Sequence, residues 1–113
     1  MNYRLEASAT FKRNIKNLGK RYASITDDYA RLLDELEKNP GLGADLGGGL
    51  RKIRMAITSK GPGERGGARV ITFTVIVSVE EAVINLLTIY DKSERESIKR
   101  SEILALLEKN GLR

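Results

Sequence analysis

The chain has 113 residues, 41% apolar and 31% charged, with a net charge of +5 and neither cysteine nor histidine, the size and balance of one soluble globular domain. Missing cysteine excludes disulfides, thiolate nucleophiles and sulfur-ligated zinc, and missing histidine excludes the Ser/His/Asp triad and the usual neutral-pH base, which leaves Lys, Arg, Asp, Glu and Tyr for any catalysis. No apolar run approaches the roughly 18 residues of a membrane span and residues 1–6 lack a signal-peptide core, so a cytoplasmic protein is expected.

Tyr3, Leu5 and Ala7 alternate with Arg4, Glu6 and Ser8, the period of a short opening strand. Apolar residues then recur at Phe11, Ile15, Leu18 and Tyr22, which is helical spacing; Lys12, Arg13, Lys16, Lys20 and Arg21 form a solvated opposite face, and Gly19 is expected to fray the end. A second helix opens at Ser24, with Asp27 three residues on and Thr26 as another capping candidate. Its stripe is Ile25, Tyr29, Leu32, Leu33 and Leu36, and Asn39-Pro40 stops it, because the residue before proline avoids the helical conformation.

Nine of the eleven glycines lie between residues 41 and 67, so the chain there turns sharply or approaches something closely. Within this region residues 50–57 alternate as a strand, with Ile53, Met55 and Ile57 on one face and Lys52 and Arg54 projecting together on the other. Residues 60–67 read as a loop, whose glycines match neither GxGxxG nor GxxxxGK[ST] in a strand-to-helix context. The β-branched run 69–77 predicts a strand, and residues 83–90, nearly continuously apolar after a turn near 78–81, predict one buried on both faces. Ser101 is expected to cap a closing helix that turns Ile103, Leu106 and Leu107 inward and ends at Gly111. The expected fold class is α+β: an N-terminal strand and a helical hairpin packed on a small, largely antiparallel sheet of three further strands, with a C-terminal helix and all helices on one face.

The positive charge is local. Residues 51–69 carry Arg51, Lys52, Arg54, Lys60, Arg65 and Arg69 against the single acid Glu64, and the remainder of the chain is balanced. A compact basic segment on an otherwise neutral domain suits a polyanion such as nucleic acid, although solvated loops carry the same charge.

Three blocks in this order, Gly48-Gly-Leu-Arg-Lys-Ile-Arg-Met, Gly66-Gly-Ala-Arg-Val-Ile and Leu86-Leu-Thr-Ile-Tyr-Asp-Lys-Ser-Glu, resemble the RelE/ParE toxin superfamily of type II toxin-antitoxin systems, with the nearest likeness to its HigB-like and RelE-like members. The resemblance covers roughly residues 28–98 and implies the RelE-like fold. It also implies a ribosome-dependent endoribonuclease that cleaves messenger RNA without metal or cofactor, with the ribosome, the message and a cognate antitoxin as partners, the antitoxin covering residues 51–69.

Carried onto this sequence, the family's functional positions are Lys52, Arg54 and Arg69, with Lys92 at the lysine of the closing Y-x-K-x-E block. Arginine suits the phosphate because its planar fork stays charged, whereas lysine can lose its proton when crowded by cations. Arg54 and Arg69 are therefore assigned as clamps, Lys52 as the base and Lys92 as a further cation. Arg51, Lys60, Arg65 and Arg95 are candidate RNA contacts, and Tyr90, or less directly Phe73, a base-stacking aromatic. Two positions depart from the family pattern: Ser93 stands where some members have arginine, and the last helix has no aromatic residue. A ParE-like inhibitor of DNA gyrase, needing no chemistry, and an inactive basic RNA-binding relative remain the alternatives.

Overall fold

The computed structural model describes residues 1–61 and 66–113. Among them are five strands and three α-helices in the order β1 (Asn2–Ala7), α1 (Ala9–Arg21), α2 (Ile25–Lys38), β2 (Ala44–Gly47), β3 (Leu50–Met55), β4 (Ala68–Ile76), β5 (Glu81–Asp91) and α3 (Arg100–Lys109), with a 3₁₀ turn over Thr58–Lys60. No described helix is long and apolar enough to cross a membrane.

Local chemistry explains most element boundaries. The Ser8 hydroxyl accepts the Phe11 backbone N–H and caps α1. The amphipathic stripe then carries that helix through Gly19 to Arg21, where the Tyr22 N–H still reaches the Leu18 carbonyl, so the fraying expected at Gly19 does not occur. Ser24 does precede α2, but its hydroxyl donates to the Asp28 carboxylate instead of accepting a first-turn N–H. At the C-terminal helix the expected cap moves: Lys99 occupies the N-cap position without a side-chain cap and Ser101 lies inside the first turn. Gly111, at φ +70°, takes the left-handed conformation that follows the helix end.

The sheet runs β1-β5-β4-β3-β2, with β1 parallel to β5 and all other pairs antiparallel. β2 was not expected from the sequence. Its four residues pair with β3 by backbone hydrogen bonds, Ala44 opposite Lys52 and Asp45 opposite Arg51, and need no apolar alternation to do so. Gly43 (φ +94°) makes the approach possible, because a Cβ there would stand 2.6 Å from the Lys52 carbonyl oxygen.

Helices cover both faces of the sheet, which corrects the expected single face. On one side α1 and α2 bring Phe11, Leu18, Ile25, Leu32 and Leu36 onto Ile53, Met55, Val70, Leu86 and Ile89, with the Phe11 and Tyr29 rings 5.4 Å apart. On the other, α3 brings Ile103 and Leu107 onto Leu50, Ile71 and Leu87, with Phe73 packed at their margin. The reason lies in β5: residues 82–89 are all buried, and a strand apolar on both sides needs cover on both. Phe73 is thereby occupied as core under α3.

Candidate functional site

Strand alternation sorts the basic residues between the two faces. Ile53 and Met55 enter the α1/α2 core and Leu50 the α3 core, so Lys52 and Arg54 point to the α3 side. In β4, Ala68 and Val70 belong to the α1/α2 core and Ile71 to the other, which puts Arg69 on the α3 side too. The α3 core is built on Leu50, Ile71, Phe73 and Leu87, and Arg54 and Arg69 stand beyond it, toward the strand ends at Met55 and Ala68.

Register then aligns three of these side chains in a row. Arg54 of β3 is directly opposite Arg69 of β4, and Arg69 is directly opposite Tyr90 of β5; such partners have Cβ atoms about 5 Å apart. Lys52, two residues along β3 and opposite Ile71, lies on the diagonal from Arg69. Gly67, at φ +67° and too close to the Met55 carbonyl oxygen (2.8 Å) for a Cβ, leads the chain into this row, and its own carbonyl accepts the Lys92 N–H.

This row is electrostatically unusual. Arg69 is only 7% exposed, and its guanidinium donates to the Ala68 carbonyl at 3.1 Å and the Gly66 carbonyl at 3.4 Å; among the described residues no carboxylate lies within 4 Å of it. Like charges opposite each other across a ladder are unfavourable, and so is a buried cation without an anion. The Tyr90 hydroxyl adds a third cost, since it is the one buried side-chain polar atom among the described residues without a hydrogen-bond partner. Burial pushes the Tyr90 phenol above its ordinary pKa while the charges of Arg69 and Arg95 pull it back, and the balance stays above, so the group is a neutral hydrogen-bond donor. An anion against Arg54 and Arg69 would relieve the first two costs, and its oxygens could accept from the third.

The other candidates are placed differently. The Arg95 guanidinium lies 5.7 Å from the Tyr90 ring centre, next to the row, and is bound bidentately by Glu102. Lys92 follows two residues after Tyr90, with its ammonium on the Glu96 carbonyl. Arg51 alternates to the α1/α2 side and donates to the Gly43 carbonyl. Glu94, the last residue of the third block, is paired with Arg21 of α1. Arg65 lies outside the described residues.

Lys60 belongs to a separate cluster. Its ammonium donates to Asp91 Oδ1 at 3.0 Å and Ser93 Oγ at 2.9 Å, while the Tyr22 hydroxyl donates to Asp91 Oδ2 at 2.5 Å. Burial opposes ionisation of Asp91, but hydrogen bonds from Tyr22, Ser93 and Lys60 outweigh it and hold the carboxyl well below the usual carboxylate range. Asp28, at the start of α2, follows the same logic with Thr58, Ser24 and Arg31 as its donors, and its pKa also falls. The two carboxylates fasten the 3₁₀ turn after β3 to α2 and to the end of β5. Sequence reasoning missed them; the available signal was an aspartate closing an apolar strand.

No known protein-family model matches the chain.

Proposed function

We propose that this protein is a ribosome-dependent endoribonuclease, a toxin of the RelE/ParE kind that cleaves messenger RNA and stops translation in the cytoplasm. The observation that carries this reading is the Arg54–Arg69–Tyr90 row with Lys52 beside it: cations on one sheet face, the central one buried without a carboxylate within reach among the described residues. The resemblance of the three sequence blocks supplies the reaction, which the geometry suits without identifying it.

In this reading a phosphodiester of the message lies across the row. Lys52 accepts the proton of the ribose 2′-hydroxyl, whose oxygen attacks the adjacent phosphorus and forms a 2′,3′-cyclic phosphate as the bond to the 5′-oxygen breaks. Arg54 and Arg69 stabilise the charge that grows on the phosphoryl oxygens; removing one such donor typically costs about 10²–10³ in rate. Lys92 and Arg95 extend the positive surface along the message. An antitoxin with acidic or apolar residues over 51–69 would silence the protein by occupying the same face.

The test is a purified translation reaction followed by primer extension along the message. New ends inside the ribosomal A-site codon, lost with Arg69→Ala, are the expected result. Intact message together with relaxed or broken DNA in a gyrase assay would favour the gyrase-inhibitor alternative, and RNA binding with neither activity the inactive relative.

A further inference from the structure

Cleavage of RNA by its own 2′-hydroxyl needs a proton acceptor at the 2′-oxygen and a proton donor at the departing 5′-oxygen. Lys52 fills the first role in the reading above, and the second is unassigned. Histidine and cysteine are absent from the chain. Arg54, Arg69 and Arg95 are guanidiniums, which hold their protons too firmly to hand one over at neutral pH. Lys92 has its ammonium turned to the Glu96 carbonyl. Asp91 is ionised and turned to the opposite side of the sheet, toward Tyr22 and Lys60.

What remains in the row is the phenol of Tyr90. We propose, on the premise of the endoribonuclease reading, that Tyr90 is a catalytic residue whose hydroxyl delivers its proton to the leaving 5′-oxygen. Among the described residues the hydroxyl has no partner, and Tyr90 pairs directly across the ladder with Arg69, whose guanidinium clamps the phosphate. The proton balance closes: the 2′-oxygen–phosphorus bond forms and its proton passes to Lys52, the phosphorus–5′-oxygen bond breaks, and the phenol proton completes the 5′-hydroxyl. The phenolate left behind is stabilised by Arg69 on one side and Arg95 on the other and recovers its proton from water. The hydroxyl is buried in the free protein, so the message must displace what covers it; Arg95, over the ring and 39% exposed in its side chain, is placed to give way.

An orphaned hydroxyl separates this role from a structural one, because removing it breaks no hydrogen bond among the described residues. Tyr90→Phe is therefore expected to melt at or above the temperature of the unaltered protein while its single-turnover cleavage of ribosome-bound message falls about 10²–10⁴-fold. The second measurement uses a message with sulfur in place of the bridging 5′-oxygen at the cleaved bond, a leaving group that departs without a proton. Tyr90→Phe should cut this message at close to the rate of the unaltered protein. Equal loss on both messages, or no loss on the oxygen message, overturns the assignment. Failure of the unaltered protein to cut either message removes the endoribonuclease reading itself, and this role with it.

Discussion

Two groups of cations sit back to back at one end of the sheet and are treated in opposite ways. On the α1/α2 side Lys60 meets a carboxylate whose side chain is fully buried, and Tyr22 and Ser93 complete that carboxylate's hydrogen bonds. On the α3 side Arg69 of β4, paired with the β5 residue that precedes Asp91, is as buried as a core residue, yet among the described residues its guanidinium meets only backbone carbonyls, with a second arginine across the ladder. Burial of a charge does not reveal its purpose; the partner does. A cation that shares a buried network holds the fold together. One left with only carbonyls and a like charge weakens the fold, and a ligand can offset that cost.

The contrast can be broken by removing each cation in turn. Lys60→Met strands the Asp91 carboxylate and is expected to lower unfolding free energy by about 3 kcal/mol, read from urea denaturation. Arg69→Met is expected to leave stability unchanged or raise it, while cleavage falls about 10²–10³-fold. If the two substitutions destabilise equally, the division between holding and gripping cations is wrong.

Acid sharpens the same contrast. Asp91 and Asp28 have folded-state pKa values below their unfolded ones, so their contribution is present in full above the ordinary carboxylate range and disappears as pH falls through and below about 4. Melting temperature should therefore hold near neutrality and drop steeply below that point, and the Asp28→Asn variant should show a shallower drop from a lower starting value. Smaller effects belong to the rim. Lys92→Ala should reduce the salt dependence of RNA binding by about one unit of slope in log K against log salt. Glu102→Gln, which releases an Arg95 already half in solvent, should cost no more than about 1 kcal/mol.

Much of the fold was legible in the residues because its signals are local. Strand alternation at Lys52 and Arg54, helical spacing from Phe11 to Tyr22 and the continuous apolar run before Tyr90 each report their own surroundings. β2 was illegible, since glycine-dense residues pair through backbone groups whose side chains carry no pattern. The single-face packing of the helices failed for a related reason: the apolar run in β5 indicated two buried faces but not which helix would take the second.

Residue pattern alone establishes the α+β class, the concentration of positive charge in residues 51–69, the absence of imidazole and thiol chemistry, and the projection of Lys52 and Arg54 from one side of a strand. It takes the folded sheet to set Arg69 opposite Arg54 with Tyr90 next in line, to give Lys60 to Asp91, and to turn Arg51 the other way. The physical reason is that alternation fixes a side chain's face from its neighbours in the chain, whereas register and ion pairing join residues tens of positions apart and are set by how whole strands slide against one another.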